Sequence, residues 1–538
     1  MKTSVLLLGL SFVLFLSARS QQAELVKDIN PGEGNSFISY LNLLDGKAVF
    51  KATNSGYFND EPWVTDGTES GTIMLREINP DPLSGSFIGP MVHFNNEIYF
   101  QANDGIHGSE LWKTDGTPGG TTMVIDLFPG SQGSNPGEMT EFNGELYFSA
   151  YTPEYGDELW KTQGDSSSTT LVADIAEGDL SSSPCYLFPT SSYLFFAREN
   201  ANGVYRSDGT PGGTGMLYEK VIIGQLDEAF FTLFKGDIFF RGTDIIGPDA
   251  KGTQLWKISG DNVIRVTSLV SPEADLDPMH LTVAGDLMYF IGEQYPYGEE
   301  LWIYNGTQVQ MVKDINPSGH GNLGGFLTEF RGKLVFSAGV ASTGVELWVS
   351  DGTEDGTRLI CDIYPGPVSS GVVSPVKIGD TLYLSADDGT GGEIWKLPSP
   401  EGQLSRFTNI PNGGAWGPEF TRLGDYFLFS ATDATSGTEL WKMKASGLGI
   451  ENAGLDKKEI VVYPNPARNL IHIEIPSHFQ LPAEVRLYNS SGSKFYSGIA
   501  SERTIQLSAA SFHNGPGIYF LKINDVLNCQ LSRISIIK

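Results

Sequence analysis

Between residues 139 and 175, apolar and polar positions alternate in four short runs, at 139–142, 145–150, 158–162 and 170–175. A period of two, in segments rich in Tyr, Phe, Val and Ile, predicts short β-strands. Turn chemistry separates them. Asn143-Gly144 follows the first run, as Asp45-Gly46 and Arg331-Gly332 do elsewhere, and such pairs tolerate the positive φ of a two-residue hairpin. After the third run comes Thr-Asp-Gly-Thr or a near variant, at 65–68, 114–117, 207–210 and 350–353. There the aspartate can accept hydrogen bonds from turn amides while glycine takes the left-handed position. The pattern predicts a meander of four antiparallel strands.

That meander recurs. Trp63, Trp112, Trp160, Trp256, Trp302, Trp348, Trp395 and Trp441 share one register, and Tyr205 fills the gap after the third, which makes nine units spaced 45 to 51 residues apart. One such sheet cannot bury both faces, but copies stacked around an axis bury each against its neighbours. The expected fold is all-β: a closed β-propeller of about nine four-stranded blades across 21–443, with the nine aromatic residues packing between blades. Two fragments at the ends of the array predict closure. Residues 26–31 read as a fourth strand, in the same words as 312–317, while the ninth unit has its Trp441 strand and no fourth. Each completes the other and removes an exposed sheet edge.

The flanks differ from the array. Lys2, an apolar run at 5–16 and Ala18-Arg19-Ser20 predict a signal peptide over 1–20. That run is short for a bilayer and no later segment reaches the roughly 18 apolar residues of a membrane helix, so no membrane span is expected. Residues 444–458, rich in Gly, Ala, Asn and Lys, read as a linker, and 459–538 as a small β-sandwich. Net charge is -29, or -31 without Lys2 and Arg19, which opposes nucleic acid and anionic lipid as partners. Cys185, Cys361 and Cys529 are far apart and odd in number, so no disulfide framework is expected.

The motif Glu-Leu-Trp-x-x-Asp-Gly-Thr, at 110–117 and 346–353, resembles the bacterial ELWxxDGT repeat family over 24–443. Tyr205 for Trp, Gln254 for Glu and Leu397-Pro398 for Asp-Gly depart from it. The resemblance implies a scaffold and no particular reaction. The tail has Val461-Val462-Tyr463-Pro464-Asn465-Pro466, apolar alternation at 469–475 and 485–488, Gly517-Ile518-Tyr519 and a final strand ending at Lys538. In order and spacing these phrases resemble the type A carboxy-terminal sorting domain of type IX secretion, with Pro464, Asn465, Pro466, Gly517, Tyr519 and Lys538 at family positions. That resemblance implies recognition by the type IX secretion machinery. It also implies release from, or attachment to, the outer surface of a gram-negative bacterium.

Catalytic signatures are missing: there is no metalloprotease helix motif, phosphate-binding glycine loop or Gly-x-Ser-x-Gly elbow. The seven histidines, at 93, 107, 280, 320, 472, 478 and 513, lack ligand spacing. No catalytic residue and no cofactor is therefore expected. Asn103-Asp104-Gly105, Asp387-Asp388-Gly389 and Asp433 raise calcium as the one metal at issue, although turn geometry also accounts for such loops. Asp28, Asp126, Asp174, Asp314 and Asp362 recur in the fourth strand, which suggests a structural bond. Ahead of the Trp strand, Tyr57, Phe58, Tyr151, Tyr155, Tyr295 and Tyr297 form candidate platforms for sugar rings or a protein partner. The expected function is a secreted or cell-surface binding protein that captures glycan or peptide. An extracellular hydrolase or lyase with a channel site, and a structural surface-layer protein, are the alternatives.

Overall fold

The computed structural model describes residues 23–445 apart from 56–58, 82–83, 200–201, 224–230, 245–251, 268–275, 295–296, 318–321, 411–412, 416 and 418. In the tail it describes 461–463, 470–475, 481–489, 494–508, 517–524 and 529–536. The four runs of the third unit form strands Gly137–Phe142, Glu145–Thr152, Gly156–Thr162 and Thr170–Ala173, hydrogen-bonded antiparallel in chain order. Among the described residues of 23–445 this arrangement gives seven four-stranded sheets and one of eight strands, a propeller-like succession.

Both turns obey their residues. Asp45, Asn143 and Arg331 have φ of 47°, 52° and 51°, and the glycines after them 74°, 77° and 77°, the twin left-handed pair whose twist matches the flanking strands. In the second turn Asp115 Oδ1 accepts from the Thr117 amide at 2.9 Å and its hydroxyl at 2.6 Å, and Gly116 has φ 78°. The Thr114 and Thr121 hydroxyls then bolt the two strands together at 2.8 Å. The Gly120-Thr121 pair follows from this: a Cβ on Gly120 would fall 2.0 Å from Asp115 Oδ1. The same bolts recur between Thr65 and Thr72, Ser207 and Thr214, and Ser350 and Thr357.

Burial between consecutive sheets supplies the core. Leu111 and Val124 of the second unit cluster with Leu146, Phe148 and Trp160 of the third, and Tyr289 and Leu301 of the sixth with Phe336 and Trp348 of the seventh. All eight register tryptophans and Tyr205 are buried. The fourth and fifth units share the eight-stranded sheet, joined where Val221 and Ile222 face Asp244 and Thr243. Strand Glu24–Lys27 pairs with Gly437–Lys444, setting Leu25 opposite Trp441. One apolar cluster holds Val26, Ile29, Phe50 and Trp63 together with Leu428 and Leu440, and strand Phe420–Leu423 lies beside Ser39–Leu44.

The tail has a three-stranded and a four-stranded sheet around one core that includes Ile471, Ile473, Val485, Leu487, Leu521 and Ile523. Cys185 is a free thiol whereas Cys361 is disulfide-bonded, a bond that cysteine number and spacing did not suggest.

Candidate binding face

In a four-stranded meander the second and fourth strands end at the same edge, so the connections that leave them share one end of the molecule. Glycines bring the two connections into contact there. A Cβ on Gly108 would lie 2.3 Å from the Gly133 amide nitrogen, one on Gly156 2.3 Å from the Leu180 carbonyl oxygen, and one on Gly437 2.1 Å from the Gly34 carbonyl oxygen. These glycines have φ of 72°, 68° and 66°, so conformation and proximity both demand them.

A buried glutamate, two residues before every register tryptophan except Trp256, anchors the longer connection. Glu110 accepts hydrogen bonds from the amides of Leu127, Phe128 and Ser134 at 3.2, 3.1 and 2.9 Å and from the Ser134 hydroxyl at 2.5 Å. Glu158 repeats the set with Ile175, Ala176 and Ser182, and Glu61 takes the amides of Ile78 and Asn79 and the Ser86 hydroxyl. Glu439 reaches the amides of Ile29 and Asn30, at 2.8 and 3.2 Å. Burial pushes Glu61, Glu300 and Glu439 up to about 7 despite these donors, and raises Glu110 and Glu158 as well. In the sequence this glutamate is one letter of the motif. Its signal was available, since a serine follows Glu110, Glu158 and Glu346 by 24 residues.

The serine sets what the face displays. Ser36, Ser86, Ser134 and Ser182 are buried, and the next residues, Phe37, Phe87, Asn135 and Ser183, have φ of 46°, 49°, 48° and 45°. Phe87, Ile106, Leu180 and Val368, all on these connections, are half or more exposed, and Phe37 over a third. Apolar side chains presented outward on several connections of one end are a feature of interaction surfaces. These five are not among the platforms predicted from sequence, because they lack the aromatic pairing that marks those.

Of the predicted platforms, Tyr151 and Tyr297 are more than a third exposed, with Tyr151 resting against Phe128 at 5.6 Å between ring centres. Tyr155 folds back edge-on to Trp160 of its own sheet, at 6.5 Å and 65°. Tyr57, Phe58 and Tyr295 lie outside the described residues. In the acidic loops the carboxylates serve turn amides: Asp104 Oδ1 takes those of Ile106 and His107 at 2.9 and 2.8 Å, Asp387 Oδ1 those of Gly389 and Gly391 at 2.7 and 3.0 Å. Asp433 Oδ1 takes those of Thr435 and Ser436 at 2.9 and 2.6 Å. Among the described residues no three His, Cys, Asp or Glu converge as a metal set. Asp28 and Asp174 accept from Gly32 and Gly178 four residues on, at 3.3 and 3.1 Å. In the tail, Gly517 and Tyr519 lie in strand Gly517–Asn524, while Pro464, Asn465, Pro466 and Lys538 fall outside the described residues.

Residues 461–538 match the family described as the secretion system C-terminal sorting domain. The chain therefore carries a type IX export signal and is a secreted or surface-attached protein. No curated protein matches it. Among solved structures it is similar to PorZ, a bacterial surface component of the type IX secretion system of Porphyromonas gingivalis, at 12% identity over 93% of this chain and 86% of that one, with a TM-score of 0.22. It is also similar to the β-propeller domain of the Trilobed protease from Pyrococcus furiosus, at 10% identity over 70% and 99% of the two chains and a TM-score of 0.36. Puromycin hydrolase is 14% identical over 64% of this chain and 59% of its own, with a TM-score of 0.35. Overlaps at these scores carry no argument about activity.

Proposed function

We propose that the chain is an exported binding protein that captures an extracellular glycan or peptide on the end formed by its strand-two and strand-four connections. Residues 21–443 act as an ELWxxDGT-type scaffold, a closed nine-bladed β-propeller, joined by 444–458 to the sorting domain at 459–538. The pairing of Glu24–Lys27 with Gly437–Lys444 and the apolar cluster shared by both ends of the array support closure. The observation that carries the binding reading is the set of outward apolar side chains, Phe37, Phe87, Ile106, Leu180 and Val368, on connections pinned by buried glutamates. Rigid supports with variable, exposed tips are how loops on a fixed scaffold bind. The sorting domain supplies the contact with the export machinery.

The test is a glycan-array and cell-surface binding screen of the purified chain, with product analysis of every hit by mass spectrometry. Binding that is lost in Phe87→Asp and Ile106→Asp, without turnover, supports the reading. Turnover abolished by a single carboxylate substitution would replace it with an enzyme.

A further inference from the structure

Asp362 follows strand Arg358–Cys361, the outermost strand of the seventh sheet, and is buried. Its Oδ2 accepts from Arg486 Nη1 of the tail at 2.5 Å, across 124 residues of sequence, and Arg486 is itself buried. The same arginine donates from Nε to Glu484 at 2.7 Å, so one guanidinium links a carboxylate of each body. Docking takes the guanidinium out of water, and a guanidinium buried without its acid is strongly disfavoured, so Asp362 is the group that makes the docked arrangement tenable. The neighbouring residue adds a covalent constraint. Cys361 is disulfide-bonded and Cys185 is free, and a chain with three cysteines leaves Cys529 as the partner. Cys529 begins strand Cys529–Ile536, the edge strand of the four-stranded tail sheet, and that strand lies against Arg358–Cys361.

We propose that the sorting domain is locked to the repeat body, edge strand against edge strand, by the Arg486–Asp362 pair and a Cys361–Cys529 disulfide. The bond forms by thiol–disulfide exchange with a disulfide-bearing oxidoreductase of the oxidising compartment: both cysteines give up their protons, two electrons pass to the donor, and the donor leaves as a dithiol. The export signal is then presented in a fixed orientation. Cutting the connecting segment alone does not separate the two bodies, because reduction is required as well. The lock rests on its own contacts, whatever the strand-two and strand-four connections bind.

The test uses the full chain produced in the periplasm of a bacterial host. Denatured without reductant it should show one reactive thiol, from Cys185, and three after reduction. Protease cleavage between 446 and 460 should leave one band on a non-reducing gel and two after dithiothreitol, while Cys361→Ser should give two bands in both. Three thiols in the unreduced chain would overturn the proposal, as would a reducible band at twice the chain mass or separation of the cleaved wild type without reductant. The thiol count needs no variant, so it decides the matter even if Cys361→Ser fails to fold.

Discussion

The second and third units and the fifth and sixth solve the same packing problem with different residues. In the second and third, alanines 102 and 150 stand beside the tryptophan, and the indole nitrogens of Trp112 and Trp160 are buried without an acceptor. In the fifth and sixth, Gly242 and Gly292 take the alanine's place, and Trp256 and Trp302 each donate to that glycine's carbonyl at 3.0 Å. A Cβ there would sit 2.9 Å from Trp256 Cδ1 or 2.8 Å from Trp302 Cδ1. Their clamps differ too: the fifth unit has Gln254, whose Oε1 takes the Thr267 hydroxyl at 2.8 Å, where Glu110 takes three amides and a hydroxyl. Degeneration of the motif is therefore a change of partner. The repeat tolerates substitution where a new acceptor or donor appears within reach.

The largest effect that tests this contrast is collective. Glu61, Glu300 and Glu439, pushed by burial from 4.5 to about 7, are held protonated in the folded state more readily than in the unfolded. The stability they contribute is complete below pH 4.5 and lost as pH rises through about 7. Melting temperature should fall across that window, and Glu439→Gln should flatten the slope while changes at Gln254 leave it alone. A melting temperature that climbs with pH would contradict the assignment. Asp66 and Asp208, lowered by their Thr68 and Thr210 hydrogen bonds, act only at more acidic pH and do not confuse the window.

Next comes the clamp itself. Glu110→Ala leaves three amides and a hydroxyl without their acceptor and should cost about 3 to 5 kcal/mol, while Gln254→Ala should cost under about 2 kcal/mol. Urea unfolding gives the totals, and amide exchange at Leu127, Phe128 and Ser134 should accelerate only in the first variant. Equal costs would erase the distinction between carboxylate and amide clamps. Gly292→Ala, forced against Trp302, should cost about 1 to 3 kcal/mol, more than Ala150→Gly at about 1 kcal/mol. The smallest difference is between tryptophans: Trp302→Phe should cost about 1 kcal/mol more than Trp112→Phe, because only the former strands a carbonyl.

Local chemistry made much of this readable. Asn143-Gly144, the Thr-Asp-Gly-Thr turns and the tryptophan register are written in adjacent residues, and each found its expected conformation or burial. The clamp is not legible locally because its partners stand 15 to 25 residues from the glutamate, as with Glu300 to Ile315 and Glu61 to Ser86, and 410 for Glu439 to Ile29, beyond what periodicity reports. For Tyr155 the sequence marks the connection but not the rotamer, and Trp160 offers it an edge-on surface. The Arg486–Asp362 pair joins two bodies, and no local pattern encodes such a contact.

The sheet that pairs Glu24–Lys27 with Gly437–Lys444 also sets a clock. Its members are made at opposite ends of synthesis, so the first strand emerges early and must wait through some 400 residues of chain for its neighbours, as the Ile29 to Glu439 separation of 410 makes plain. Contacts of such range carry the greatest loop-closure delay. Any chain truncated before the Trp441 strand would leave that early strand with an open edge and its apolar side chains uncovered, a ready substrate for proteases and holdases. Completion of the last repeat therefore doubles as an inspection step, passed only by molecules whose repeat array is finished.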